Sequence, residues 1–77
     1  MVKFEELLEK LQAGDRSVYD KVYYLLKVRE ITILREYYGI GCHPKPAEEI
    51  GDMFGLEENE VIQILEKTKA KIEAFWN

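Results

Sequence analysis

Cys42 and His43 are the only thiol and the only imidazole of the chain, and they stand side by side between Gly41 and Pro44. A thiolate and an imidazole can form a nucleophile and its base, but that chemistry needs a third orienting group and an oxyanion pocket, and a structural zinc needs four ligands. One Cys and one His supply neither set. Both are read as loop residues, and no metal and no cofactor is expected. Glu48 and Glu49 are consecutive, so on a helix they point about 100° apart and cannot serve one substrate as acid and base. The chain is not expected to be an enzyme.

Binding chemistry is better represented. Asn59, Gln63 and Lys67 recur at every fourth position, which puts them on one side of a helix. An Asn or Gln amide can grip an adenine edge, and a Lys can meet a phosphate or a guanine; the same row is equally the make-up of a solvated face. Lys69 and Lys71 are candidate phosphate contacts farther along. Glu57, Glu58 and Glu60 open the same segment. Carboxylates there favour the helix macrodipole by about 0.3–1 kcal/mol each, and they also repel phosphate. Tyr19, Tyr23, Tyr24, Tyr37 and Tyr38 are read as half-buried packing between helices, with base stacking as the alternative, which would want surrounding Lys and Arg.

The elements that must carry these residues are all helical by spacing. Phe4, Leu7, Leu8 and Leu11 form an apolar stripe that stops at Ala13-Gly14,. Asp15 can cap a second helix, whose buried stripe would be Val18, Val22, Leu25 and Leu26. Ile31, Ile33, Leu34, Tyr37 and Tyr38 place a third helix near 29–38, able to run on from the second because no proline or glycine intervenes. Gly39 to Pro46 holds two glycines and two prolines and must be a loop,. Pro46 fits the first turn of a fourth helix burying Ile50, Met53 and Phe54 and turning at Gly55. A last helix from about Glu57 to Phe75 shows Val61, Leu65, Thr68, Ile72 and Phe75 on one face,. Ile62 lies beside that stripe. It packs on the N-terminal helices or joins Phe75 and Trp76 in a partner or dimer surface. No segment alternates with the period of a strand.

Seventy-seven residues make one small domain, with room for a core but not for a deep catalytic cleft,. Its 47% hydrophobic and 34% charged residues are those of an ordinary globular chain,. No apolar run approaches the roughly 18 residues that span a bilayer, and the N-terminus lacks a basic-then-apolar leader. A cytoplasmic location away from membranes is expected, and the lone Cys42 agrees with a reducing compartment. Residues 1–45 carry eight Lys and Arg against seven Asp and Glu, whereas residues 46–77 carry three against eight. The second half is therefore strongly acidic, the reverse of a DNA-binding footprint.

Leu34-Arg35-Glu36-Tyr37-Tyr38-Gly39-Ile40, a loop, Glu48-Glu49-Ile50-Gly51-Asp52-Met53-Phe54-Gly55-Leu56 and Val61-Ile62-Gln63-Ile64 together resemble region four of bacterial sigma factors. The resemblance spans about residues 28–73. It rests on Tyr38-Gly39, Glu48-Glu49, Gly51, Phe54-Gly55 and Gln63-Ile64. It implies a helix-turn-helix domain that recognises the promoter −35 element and docks on RNA polymerase, here 28–76 preceded by a helical extension, 1–27. The chain departs from the family at the start of the reading helix. A small hydroxyl residue followed by basic residues is usual there, and Glu57, Glu58, Asn59, Glu60 and Ile62 stand instead. Gln63 and Lys67 match.

The expectation is an all-α domain of about five helices containing a helix-turn-helix. The resemblance makes it a transcription regulator that acts mainly through RNA polymerase or a transcription factor, with weak or assisted DNA contact. Glu57, Glu58, Asn59, Glu60, Ile62, Gln63 and Lys67 would form the contact. One alternative is direct DNA reading by Asn59, Gln63 and Lys67 with Lys69 and Lys71 on phosphates. Another is a homo-oligomer joined through Ile62, Phe75 and Trp76.

Overall fold

Asp15 sits between the first two helices and decides where the second begins. Its Oδ1 accepts from the backbone N–H groups of Ser17 and Val18 at 3.0 and 3.4 Å, which satisfies donors that the first turn of a helix leaves free. The computed structural model describes Met1–Asn77, and contains five α-helices and no strand. These are α1 (Phe4–Gln12), α2 (Arg16–Leu25), α3 (Val28–Tyr38), α4 (Ala47–Phe54) and α5 (Glu58–Trp76). At about 1.5 Å per residue, α5 is roughly 28 Å long. It runs most of the 33 Å length of the molecule, and every other helix packs on it or on its neighbours.

Fifteen buried apolar residues form one core, drawn from all five helices, from Leu26 between α2 and α3, and from Ile40 in the loop after α3. Ile33, Ile50, Val61 and Ile72 are wholly enclosed. Phe4, Leu7, Leu11, Val18 and Val22 belong to the same cluster, so α1 and α2 share the core of the three later helices. Phe4 meets Tyr38 with ring centroids 5.6 Å apart. The Asn77 side chain closes the far end, accepting from Val2 N–H at 2.9 Å and donating to Val2 O at 3.0 Å.

Thr68 is wholly buried in the α5 stripe, and its hydroxyl Oγ1 has no hydrogen-bond partner. An unpaired buried hydroxyl is destabilising, whereas a methyl of the same size is not. Thr68→Val is expected to stabilise the fold by about 1 kcal/mol, a rise of roughly 4–8 °C in melting temperature. Thermal unfolding followed by circular dichroism checks it, and a lower melting temperature would contradict it.

Several expectations need correction. The second and third helices are not continuous. Leu26 is extended (φ −106°, ψ 156°), and Glu30 Oε1 accepts Lys27 N–H at 2.9 Å to start α3 afresh. Pro46 lies one position before α4 rather than in its first turn. Met53 is 50% exposed, because the buried side of α4 is Ala47, Ile50 and Gly51; that face is centred on the glycine side and leaves Met53 beyond its edge. Phe75 is likewise exposed, and Trp76 takes the inner position, the two rings meeting edge-on at 5.0 Å. Tyr19, Tyr37 and Tyr38 are half-buried against the core as expected, but Tyr23 is largely exposed and Tyr24 almost fully so.

Candidate binding surface

The corner between α4 and α5 is set by two glycines. Gly55 ends α4 at φ +69°, a conformation that side chains with a Cβ rarely adopt. Gly51 lies on the buried side of α4, and its carbonyl accepts the N–H groups of Gly55 and of Leu56, the latter at 2.8 Å. A Cβ on Gly51 would lie 2.4 Å from Leu56 O. The backbone thus folds back on α4 without an intervening side chain, and α5 starts two residues later. Glu60 closes the new helix start, its Oε1 accepting Glu57 N–H at 3.1 Å.

Glu57, Glu58, Asn59 and Glu60 all face solvent on this corner. Glu48, Glu49 and Asp52 are exposed on α4. Residues 46–60 hold six carboxylates and no Lys or Arg. Half-exposed Met53 stands among them. The result is a negative cap over α4 and the start of α5, which repels a phosphate backbone.

Farther along α5, Gln63 and Lys67 border an open groove together with Arg29 from the first turn of α3, and Glu60 and Glu66 border it as well. Asn59 is exposed but is not part of that groove. Two cations and two carboxylates leave the groove without net charge. Arg29 was not foreseen, since nothing in its sequence neighbourhood places it beside residues more than 30 positions away. Ile62 is 38% exposed and shares a shallow depression with Tyr37, Tyr38 and Lys69. Phe75 lies thirteen residues on, which is about 20 Å along the axis and some 140° around it,. Ile62 and Phe75 therefore lie on different sides of α5, whereas Trp76, fourteen residues on, lies about 40° around from Ile62,.

The two lysines considered for phosphate are held by the protein itself. Lys71 Nζ reaches Glu30 Oε2 at 2.9 Å across α3 and α5, and Lys69 Nζ lies 5.6 Å from the Phe4 ring centroid, within cation–π range. Burial pushes the Glu30 carboxyl pKa up, but the Lys27 N–H and Lys71 together outweigh it and hold it below 4.5. Lowering a carboxylate in the folded state stabilises above its unfolded pKa and is lost as pH falls through the folded value. Asp15, lowered by Ser17 and Val18, and Glu36, lowered by Lys45, act in the same direction. Stability is expected to fall progressively below about pH 4.5. Glu30→Gln should shrink that acid dependence and destabilise by about 1–2 kcal/mol at neutral pH. Urea unfolding at several pH values measures both; an unchanged pH slope would contradict the assignment.

Cys42 and His43 are exposed in the loop after α3. The thiol faces Arg35 O at 3.4 Å and Glu36 Oε2 at 3.9 Å rather than the imidazole. Lys45 pairs with Glu36, and this partner raises the lysine pKa. No three His, Cys, Asp or Glu side chains come together as a metal site, and no helix is long and apolar enough to cross a membrane. Comparison of the chain with protein families, with curated proteins and with solved structures finds no match.

Proposed function

We propose that this chain is a non-enzymatic transcription regulator resembling sigma factor region four, which binds RNA polymerase or another transcription protein through the acidic corner of α4 and α5 and works in the cytoplasm. The observation that supports this reading is the run of six carboxylates without a cation over residues 46–60, all of them exposed. In a helix-turn-helix the leading turn of the second helix meets the target. Here that turn is negative, so a basic protein surface is a better target than DNA. Glu57, Glu58 and Met53 make the contact, and Gln63 and Lys67 extend it along α5.

The test is capture of the host RNA polymerase by the tagged chain, with and without nuclease. Polymerase retained after nuclease, and weakened tenfold or more by Glu57→Lys with Glu58→Lys, supports the reading. Recovery that disappears with nuclease, or that ignores both substitutions, sinks it.

Direct DNA reading keeps one favourable feature, the approach of Arg29 to Gln63 and Lys67. Several phosphate contacts would make affinity fall steeply between roughly 50 and 200 mM salt. A duplex titration over that range separates the two readings.

A further inference from the structure

Arg35 is half-buried near the end of α3 and has no carboxylate within ion-pair distance. Its Nε donates to Ile40 O at 3.4 Å, and the guanidinium borders a cleft of about 350 Å³ between the α1–α2 turn and the loop after α3. Arg16, from the first turn of α2, borders the same cleft, Tyr19 forms a wall, and the backbone of Gly14 and Gly41 closes the sides. No carboxylate lines it. The floor is apolar: Leu11 and Ile40 continue into a narrow recess lined by Val22, Ile31 and Leu34.

Two of the neighbouring acids are engaged elsewhere, and the third stands beside Arg16. Asp15 accepts from Ser17 and Val18, Glu36 pairs with Lys45, and Asp20 stands 4.0 Å from Arg16 with both side chains mostly in solvent. In a chain of net charge −4, this cleft is bordered by two arginines and no carboxylate, Arg35 half-buried and Arg16 at the exposed rim. Arginine forks match carboxylates in two-point fashion. A cleft of about this size falls at the small end of ligand pockets.

We propose that this cleft binds a small aromatic carboxylate, its ring over Leu11 and Ile40 against Tyr19 and its carboxylate between Arg16 and Arg35. The cleft shares no residue with the α4–α5 corner, so the two surfaces can be tested apart.

The probe is 2-naphthoate added to the nitrogen-15-labelled full chain, followed by the NMR signals of the Gly14 and Gly41 amides and of the Arg16 and Arg35 Nε–H groups. Saturable shifts confined to these groups are expected, with a dissociation constant below about 1 mM, a modest affinity suited to a ligand of few atoms. Naphthalene-2-carboxamide, the neutral twin, should bind at least tenfold more weakly, and acetate and inorganic phosphate should not saturate by about 10 mM. Arg16→Gln, on an exposed side chain, should weaken naphthoate at least fivefold, while Lys21→Gln on the same helix leaves it unchanged. Arg35→Lys, with the melting curve recorded alongside, should weaken it similarly. Absence of saturation, equal binding of acid and amide, saturation by phosphate, or wild-type affinity in Arg16→Gln overturns the proposal.

Discussion

Gly51→Ala is expected to lower the melting temperature by roughly 10–25 °C, an outcome that helix propensity alone would not anticipate. Exchanging a helical glycine for alanine in an open position stabilises by up to about 1 kcal/mol. At this position the new Cβ would lie 2.4 Å from Leu56 O, a backbone atom. No rotamer change can relieve that overlap, so α4 must move away from the start of α5. Ile50 of α4 and Val61 of α5 are both wholly buried in the one core, and the movement loosens the packing of the two helices. Overpacking of this kind destabilises by about 1–3 kcal/mol and more when backbone is involved, against a total of roughly 4–12 kcal/mol for a chain of this length. Each kcal/mol shifts the midpoint by about 4–8 °C in a domain this small. Differential scanning calorimetry of the wild type and the alanine variant measures the loss. A variant that melts at or above the wild-type temperature would show that the corner yields at no cost.

The second large effect is a gain. Glu57→Lys and Glu58→Lys, combined with Glu60→Gln, should turn a chain with little affinity for duplex DNA into one that binds it readily at low salt. Both lysines would replace repelling carboxylates on the leading turn of α5. Glu60 is changed only to glutamine because its Oε1 accepts Glu57 N–H, and a glutamine retains that acceptor. Two added phosphate contacts steepen the dependence of log affinity on log salt by about 1.8. The gain should be on the order of 100-fold at about 50 mM salt and fall to about fourfold by about 300 mM. Fluorescence anisotropy with a labelled duplex over a salt series reads it directly. An unchanged salt slope would mean that the corner never faces the phosphates, and the docking geometry assumed for α5 would have to be abandoned.

Helix count and most helix ends were legible because local rules act over a few residues. Gly14, Asp15, Gly39 and Gly55 are each a stop or a start whose physics is complete within one turn. The break before α3 was not legible, since Lys27 is no capping residue and the donor satisfied there is its own N–H, reached by Glu30. Glu30 is oriented in turn by Lys71, 41 positions away in sequence. Met53 was misplaced because a glycine counts as nothing in an apolar stripe. On α4 that glycine marks the closest backbone approach in the corner and so defines the buried side.

The candidate surface was legible in part for the same reason. Glu57, Glu58, Asn59 and Glu60 follow a turn, and residues that follow a turn on a helix with a known buried stripe must face solvent. Their exposure needed no tertiary knowledge. Arg29 beside Lys67, and the engagement of Lys69 and Lys71 by Phe4 and Glu30, depend on how α1 and α3 cross α5.

By itself, then, the sequence determined about five helices, most of their buried stripes, and an acidic leading turn on the last of them, because backbone hydrogen bonding and apolar periodicity are local properties. Tertiary structure alone decided which cations remain available, which aromatic rings stay outside, and that Arg16 and Arg35 border one cleft with Leu11 and Ile40. Those outcomes follow from distances between residues far apart in the chain, which are fixed only when the helices pack and their charges find or miss a partner.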